Sequence, residues 1–318
     1  MLEAAGDVAD IARLLGYEKI ALFGGSFGSH WSMAVLREHP DLVERALLHG
    51  MEGPDHTYDM PSGVLAALER MAKAAEASEQ LRDRVPEEGL IEAFKGVLES
   101  VREDPFDIDV RHPRTGEDVP VRIDHLSLRD LALGTTTRVS SRNGMPRWPL
   151  DLLRLIEGDF EPAARALLAD RGESDLPTAS FFMLDCGSGI SPERAKVLNA
   201  DPAIEVVGDL GWFYRTACPS WDADLGDAFR AGFRTDVPTL IVHGTWDVNT
   251  PLENALECIP MFSDHRFVPV EGGSHGALWE AMRHDHGFRD AVMAFLATGA
   301  QDELPDQVVL PPLEWQRP

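Results

Sequence analysis

The stretch "KIALFGGSFGSHWSM", residues 19–33, constrains the fold of this chain more than any other segment. An apolar run at 20–23 leads into "GGSFG" at 24–28, and apolar positions then recur at helical spacing. Small residues beside a serine allow a strained turn between a strand and a helix, where larger neighbours would collide. The pattern therefore predicts that Ser26 is presented at the end of a strand as a candidate nucleophile.

Composition indicates a globular chain and excludes some partners. Of its 318 residues, 44% are hydrophobic and 26% charged, and the formal net charge is −25. Nucleic acids and anionic membrane surfaces require basic patches, so neither is an expected partner. No apolar run reaches the roughly 18–20 residues of a membrane span. The first residues lack a secretory signal pattern, which favours the cytoplasm by default but leaves an extracytoplasmic location open if a signal precedes them.

Strand and helix patterns alternate at the two ends of the chain but not in its middle. Residues 1–53 read as helix, strand, helix and buried strand, which is a parallel α/β unit. Residues 54–210 have mainly helical spacing, with a short hairpin or extended excursion at 109–123, and are predicted to form a helical cap insert. The alternation resumes over 211–300, and the proline-rich residues 301–318 are predicted to be an extended tail.

Two later residues complete the chemistry that Ser26 needs. A serine hydroxyl requires a base, and the base requires an acid that orients it. Asp247 follows the buried strand pattern "TLIVHG", and His275 follows "FVPVEGG". Both lie just after strands, where an α/β sheet collects its active site. We therefore predict Ser26 as nucleophile, His275 as base and Asp247 as orienting acid, with the Phe27 N–H as an oxyanion donor.

Each of these residues also has a structural interpretation. Ser26 is alternatively a serine in a tight strand–helix turn, Asp247 a turn or helix-cap aspartate, and His275 a loop histidine after two glycines. His243 is expected inside a buried strand and His30 in the core beside the elbow. The order Ser, Asp, His at strand ends favours the catalytic interpretation.

The cysteines and clustered histidines do not predict a metal site. Cys186, Cys218 and Cys258 show no C-x-x-C spacing. His284 and His286 flank one residue on a predicted helix end, where adjacent positions diverge. A Cys186–Cys218 disulfide, which needs an oxidising compartment, and buried free thiols both remain open.

Three segments resemble a known family. "GGSFGSHWSMAVLREHPDLVERALLHG" resembles the elbow, helix and next strand of α/β-hydrolases, within them the proline iminopeptidase and tripeptidyl aminopeptidase group of serine exopeptidases. "PTLIVHGTWDVNTP" and "GGSHG" resemble that group's acid and base loops, and Cys186 with a later C-x-x-W at Cys218 resembles its secreted branch. The resemblance covers about residues 1–50 and 180–300. It implies an acyl-enzyme on Ser26 and no cofactor.

The chain departs from this family in two ways. It contains no HGGPG-like loop and none of the strands that in the family precede the helix before the elbow, so the resemblance implies a partial parallel sheet with the elbow strand at an open edge. Such an edge is available for self-association or a partner. The family also holds the substrate's free amine with acidic residues, for which Glu52 and Asp185 are the candidates here.

Three functions remain open at this stage. The first is an aminopeptidase that releases N-terminal residues or short peptides. The second is an esterase-type acyl hydrolase on the same triad, since a fold does not fix the acyl group. The third is a catalytically impaired fragment that needs an N-terminal part or a partner chain.

Overall fold

The computed structural model of the protein describes residues 1–134, 139–170 and 179–317. Two parts of the predicted insert, 135–138 and 171–178, lie outside the described residues. No helix in the described part of the chain is long and apolar enough to cross a membrane.

Helices and strands alternate in the order that the sequence patterns predict at both ends of the chain. The helices are α1 (Leu2–Leu14), α2 (Phe27–Glu38), α3 (Pro61–Glu76), α4 (Leu90–Glu103), α5 (His125–Arg129), α6 (Trp148–Ile156), α7 (Glu161–Asp170), α8 (Ala179–Ser188), α9 (Pro192–Asn199), α10 (Ile204–Val207), α11 (Trp212–Ala217), α12 (Asp227–Arg230), α13 (Leu252–Cys258), α14 (Ala277–His284) and α15 (His286–Thr298). The strands are β1 (Ile20–Ser26), β2 (Val43–Met51), β3 (Phe106–Arg111), β4 (Asp118–Ile123), β5 (Thr239–Gly244), β6 (His265–Glu271) and β7 (Val308–Val309).

The chain packs into two compact units. We call the first the core unit; it comprises Met1–Ala67, Thr178–Asp201 and Leu210–Pro311. We call the second the helical unit; it comprises Leu68–Pro177, Pro202–Asp209 and Pro312–Pro318. The boundaries of these packing units differ from those of the predicted insert at 54–210. The domain boundaries of that insert remain a prediction.

The core unit is built on a parallel sheet with the strand order β1-β2-β5-β6-β7. All six residues of β5 are buried, as expected for a central strand with both faces covered. Along β2, Leu48 packs into the cluster that includes α2, and its neighbour Leu47 packs into the cluster that includes α14 and α15. Alternating side chains thus bury two helical layers against one sheet, which fixes where each strand ends.

β1 is an edge strand of this sheet. Its only strand partner among the described residues is β2, with Leu22 opposite Ala46. Phe23 on this strand is 47% exposed, and Trp279, whose ring packs on Phe23, is 46% exposed. The predicted position of the elbow strand at an open edge of a partial parallel sheet is therefore confirmed in the described structure.

The tail contributes to the opposite edge of the sheet. Val308–Val309 pairs in parallel with Val270 and Glu271 as β7, and Leu310 donates a backbone hydrogen bond to Glu271. The residues predicted as an extended tail thus include a short fifth strand.

The helical unit contains the predicted hairpin, formed by the antiparallel strands β3 and β4. Helices α4 and α6 pack together, and the indole Nε1 of the buried Trp148 donates to the Ala132 carbonyl at 2.7 Å. A buried indole N–H usually finds such a partner, because leaving it unsatisfied is costly.

Candidate active site

Ser26 lies on a strained turn between β1 and α2. Its φ of 54° and ψ of −133° make it the one non-glycine residue with positive φ in the described part of the chain. A side chain in this backbone region costs on the order of 1–3 kcal/mol and persists only where the surroundings enforce it. A serine with such a backbone between a strand and a helix has the local geometry of a nucleophile elbow.

Close packing enforces the turn. A Cβ on Gly24 would overlap the Gly28 carbonyl, so only glycine lets β1 approach the first turn of α2 this closely. The Gly28 carbonyl accepts a hydrogen bond from Ser32 Oγ at 2.7 Å. At the start of α2, the Phe27 N–H belongs to the helix N-terminus, where N–H groups have no intrahelical partner. The predicted oxyanion donor is therefore placed beside Ser26 by the same turn.

His275 and Asp247 form a direct pair beyond the ends of β6 and β5. His275 Nδ1 lies 2.9 Å from Asp247 Oδ2 and 3.1 Å from Oδ1. A carboxylate only accepts hydrogen bonds, so Nδ1 carries the proton and Nε2 is left as the basic nitrogen. The described structure contains no hydrogen bond between Ser26 Oγ and His275.

Asp247 is held by further donors from its own loop. Its Oδ1 accepts the backbone N–H groups of Asn249 and Thr250 at 2.9 and 3.1 Å, and its Oδ2 accepts the Thr250 hydroxyl at 2.9 Å. The Thr250 hydroxyl also lies 3.3 Å from His275 Nδ1. The aspartate that could have been only a turn residue thus both caps a turn and bonds the histidine. Thr250 was not singled out in the sequence.

Charge complementarity shifts the pKa of each partner. Burial alone would raise the pKa of Asp247, but the hydrogen bond and charge of His275 lower it overall. Burial likewise opposes protonation of His275, yet the hydrogen bond and charge of Asp247, with a contribution from Asp59, raise its pKa. The pair therefore favours an imidazolium beside a carboxylate, the state that a general base reaches after taking a proton.

The end of β2 fits between the serine and the histidine. Gly50 has a φ of +50°, and a Cβ there would lie 3.0 Å from His275 Cε1. Ser26 pairs with the next residue, Met51, and Glu52 follows. Ser29 Oγ donates to the Ser26 carbonyl at 2.6 Å and accepts the Glu52 N–H at 2.9 Å. One hydroxyl therefore connects the elbow to the first predicted substrate-binding residue.

Glu52 belongs to a group of carboxyls with raised pKa values. Burial raises the pKa of Glu52 well above its usual value, and the nearby Asp59 and Asp185 raise it further. Burial also raises the pKa of Asp59 to about 8, although Asn254 donates to its Oδ1 at 2.8 Å. Burial raises the pKa of Asp185 to about 6, against a hydrogen bond from Tyr214. We call Glu52, Asp59 and Asp185 the acid cluster.

Asp59 was missed in the sequence. It lies in the loop after β2, eight residues beyond the strand end, where an acidic residue gives no distinctive spacing. Its carboxyl interacts electrostatically with both Asp247 and His275. Only the folded conformation of this loop brings Asp59 close to the other acidic groups.

A disulfide is formed by the residue next to Asp185 of the acid cluster. Cys186, next to Asp185 on α8, is bonded to Cys218. The Tyr58 hydroxyl donates to Cys218 Sγ at 3.6 Å, and the Tyr58 and Tyr214 rings stack with centroids 4.7 Å apart. Of the two open alternatives for these cysteines, the structure has the disulfide, and Cys258 is a buried free thiol.

Three other histidines surround the site without touching Ser26. His30 is buried; its Nδ1 bonds the Gly53 carbonyl and its Nε2 bonds Ser188 Oγ, each at 2.9 Å. His243 is buried within β5, and His49 packs against Trp279. Burial lowers the pKa values of all three, so they are neutral near pH 7.

The core unit thus has the α/β-hydrolase fold. Its parallel sheet carries a serine on a strained strand–helix turn, and an aspartate and a histidine follow later strands. A family model described as "TAP-like protein" matches residues 206–308, about a third of the chain, which include Asp247 and His275. The resemblance to tripeptidyl aminopeptidase-like α/β-hydrolases is confirmed over these residues.

Solved structures with similar folds are hydrolases of several kinds. A meta-cleavage product hydrolase from Pseudomonas fluorescens IP01 is 14% identical over 93% of this chain and 71% of its own, with a TM-score of 0.37. A thermophilic esterase from Thermogutta terrifontis is 16% identical over 92% and 70%, with a TM-score of 0.35. A structure from work on epoxide hydrolases in metagenomes from hot environments is 17% identical over 93% and 73%, also with a TM-score of 0.35. Sequence identities and TM-scores this low give no information about the reaction of this chain.

Proposed function

We propose that the protein is a serine hydrolase of the aminopeptidase type, which acts through an acyl-enzyme on Ser26. The observation that carries the proposal is the acid cluster, which lies beside the Asp247–His275 pair and is linked to the elbow by Ser29. Buried carboxyls with raised pKa values are costly to a fold, and a bound ammonium group would compensate them. A free amine at the end of a peptide supplies that group.

In the proposed mechanism, His275 Nε2 takes the proton of Ser26 Oγ as this oxygen attacks the acyl carbon. Asp247 stabilises the resulting imidazolium without itself being protonated. His275 then donates the proton to the leaving amine, and the acyl-enzyme forms. A water molecule, deprotonated by the same Nε2, hydrolyses the ester and releases the N-terminal product.

The Phe27 N–H is the proposed donor to the oxyanion of the tetrahedral intermediate. It lies at the N-terminus of α2, where the helix dipole also favours negative charge. Loss of a single oxyanion donor can cost on the order of 10²–10³ in rate. A second oxyanion donor, supplied by a partner chain along the free edge of β1, would therefore raise the rate strongly. Activity that rises with protein concentration would indicate such a donor.

A fluorophosphonate probe tests the nucleophile. We expect the folded chain to be labelled stoichiometrically and Ser26→Ala to lose the label, while the exposed Ser220→Ala keeps it. Absence of labelling in the folded wild type would contradict the proposed catalysis and favour an impaired fragment.

Paired substrates test the acyl group. We expect cleavage of peptidyl or aminoacyl arylamides with a free amine, and little cleavage of the same compounds after N-acetylation. Equal cleavage of free and acetylated compounds, or a preference for short-chain esters, would favour the esterase interpretation.

A further inference from the structure

We infer that Glu280 is a positioning residue for the proposed general base: together with Ser274 it fixes the backbone on both sides of His275. The imidazole then stays where Asp247 holds its Nδ1 and where its Nε2 is free to take a proton. This inference rests on the proposed function and adds two residues to the same site. In this role both residues act through His275 rather than on the substrate.

The first step is that His275 has no backbone support of its own. It lies in the loop between β6 and α14, and its side chain bonds Asp247. In the part of the chain that the structure describes, no hydrogen bond involves the His275 N–H or carbonyl. The direction of the imidazole therefore depends on what holds the residues before and after it.

The second step is the residue before His275, which Glu280 holds from the first turn of α14. Glu280 Oε2 accepts the Ser274 N–H at 2.9 Å, and Glu280 Oε1 accepts the Ser274 hydroxyl at 2.5 Å. Ser274 is fully buried and Glu280 is only 9% exposed, so water does not compete for these bonds. Because a charged acceptor strengthens each hydrogen bond, the carboxylate fixes both the backbone and the side chain of Ser274.

The third step is the residue after His275, which the same hydroxyl holds. Ser274 Oγ accepts the Gly276 N–H at 3.1 Å while it donates to Glu280. A hydroxyl has one proton to donate and lone pairs to accept, so both bonds exist at once. The Gly276 carbonyl in turn accepts the Glu280 N–H at 3.0 Å. His275 thus lies between two residues that are fixed by the same carboxylate and hydroxyl.

A helix-capping role alone does not explain these bonds. An acidic residue in the first turn commonly stabilises its own helix, through the free N–H groups or the helix dipole. The Glu280 carboxylate instead reaches back to Ser274, which precedes Ala277, the first residue of α14. Asp285 provides the contrast, because it caps α15 by accepting the Phe288 N–H at 3.0 Å. The Glu280 carboxylate therefore fixes the loop of the base.

The fourth step is that this loop is also joined to the end of β5, where the predicted acid follows. The Gly273 carbonyl accepts the Trp246 N–H at 2.9 Å. A Cβ on Gly244, the last residue of β5, would lie 2.4 Å from the carbonyl oxygens of Gly273 and Ser274. The residue before the base therefore has β5 on one side and the Glu280 carboxylate on the other.

Removal of one acceptor should displace the base while the chain stays folded. In Glu280→Gln an NH₂ group replaces one carboxylate oxygen, so the side chain no longer accepts both donors of Ser274. A displacement of about 1 Å in a catalytic group can lower a rate by on the order of 10²-fold. We expect Glu280→Gln and Ser274→Ala each to lower the rate of fluorophosphonate labelling of Ser26 at least tenfold.

The proton on His275 Nδ1 gives a readout that a loss of stability alone does not change. Its hydrogen bond to Asp247 moves its proton NMR signal to low field, and the signal is assigned by its loss in His275→Ala. We expect Glu280→Gln and Ser274→Ala to shift or broaden this signal. Asp285→Ala is the matched control: it removes the cap of α15, so the unfolding midpoint should fall while the signal stays unchanged and the labelling rate stays within twofold.

The double variant tests whether the two side chains act as one unit. Residues of one hydrogen-bond network are not additive, so Ser274→Ala combined with Glu280→Gln should be no slower in labelling than the more affected single variant. Wild-type labelling and a wild-type Nδ1 signal in Glu280→Gln would overturn the inference. Losses that only follow the unfolding midpoint, as in Asp285→Ala, would also overturn it.

Failure of the proposed function gives a different pattern. If the folded wild type is not labelled, the catalysis of Ser26 is contradicted, whereas the His275 signal still decides whether Glu280 positions the imidazole. If labelling falls in both variants while the signal stays unchanged, the inference alone is overturned, because the two residues then act elsewhere than on His275.

Discussion

The two sides of the candidate active site are built differently. On the β5–β6 side, Asp247 is buried and accepts hydrogen bonds from three residues, behind strands whose core positions are fully covered. On the β1 side, Ser26 ends an edge strand beside the half-exposed Phe23, and its strained geometry depends on contacts with α2 and β2. The predicted base and acid are thus positioned by the sheet centre, and the predicted nucleophile by local packing at an edge.

This difference indicates where function and stability are separable. Changes on the β5–β6 side should affect catalysis through Asp247 and stability through the core. Changes at the β1 edge should affect neither strongly, unless they touch the elbow itself. The following predictions test this contrast from the largest expected effect to the smallest.

Asp247→Asn should lower kcat about 10⁴-fold with the fold intact, because the amide cannot hold the Nδ1 proton of His275 and stabilise the imidazolium as a carboxylate does. Steady-state kinetics and the labelling rate measure the effect, with circular dichroism as the check on folding. Asp236→Asn, an exposed position before β5, is the control. A loss below tenfold would exclude the assigned role of Asp247.

Ile241→Ala and Phe23→Ala compare the two sides of the sheet directly. Ile241 on β5 is fully buried, so its truncation should cost about 2–5 kcal/mol in the free energy of unfolding. Phe23 on β1 is 47% exposed and should cost no more than about 1 kcal/mol. Denaturant unfolding measures both, and equal losses would show that the edge strand contributes as much as the centre.

Thr250→Val should reduce kcat about 10–100-fold with little change in KM, since a hydrogen bond to a charged group contributes about 1.5–3 kcal/mol. The lost bond is the 2.9 Å contact of the Thr250 hydroxyl with Asp247 Oδ2. Thr250→Ser keeps the hydroxyl and should retain most of the activity. If serine and valine behave alike, the hydroxyl does not position the pair.

The rate of fluorophosphonate labelling should fall as the pH falls through the pKa of His275, which lies above its ordinary value of 6.5. His275 must be neutral to accept the serine proton, and Asp247 raises its pKa. In Asp247→Asn the main raising influence is lost and Asp59 alone opposes burial, so the acid limb should move to lower pH. Fluorophosphonate labelling across pH measures this without an ammonium on the substrate, and an unchanged limb would contradict the coupling.

Much of the fold followed from local patterns. The continuous apolar run at 240–242 predicts a buried strand, and β5 is covered on both faces. Gly299 after a helical repeat predicts a helix end, and it is the left-handed C-cap of α15. Such features depend on neighbours in the chain, which a single sequence displays.

The site was predictable only in part. The positions of Asp247 and His275 after strands were sufficient to nominate them, and their hydrogen bond agrees with that hypothesis; their catalytic roles and that of Ser26 remain predictions. Thr250 and Asp59 had no comparable signal, because neither belongs to a motif. The packing that places them beside the pair involves loops whose conformations the sequence pattern leaves undetermined.

The sequence by itself therefore determined the order of the elements and the serine turn, since periodicity and small residues impose them locally. Only the tertiary structure decided which polar groups meet. The Ser29 bridge, the hydrogen bond of His30 to the Gly53 carbonyl and the acid cluster join residues distant in the chain, and burial rather than residue type gives these carboxyls their raised pKa values.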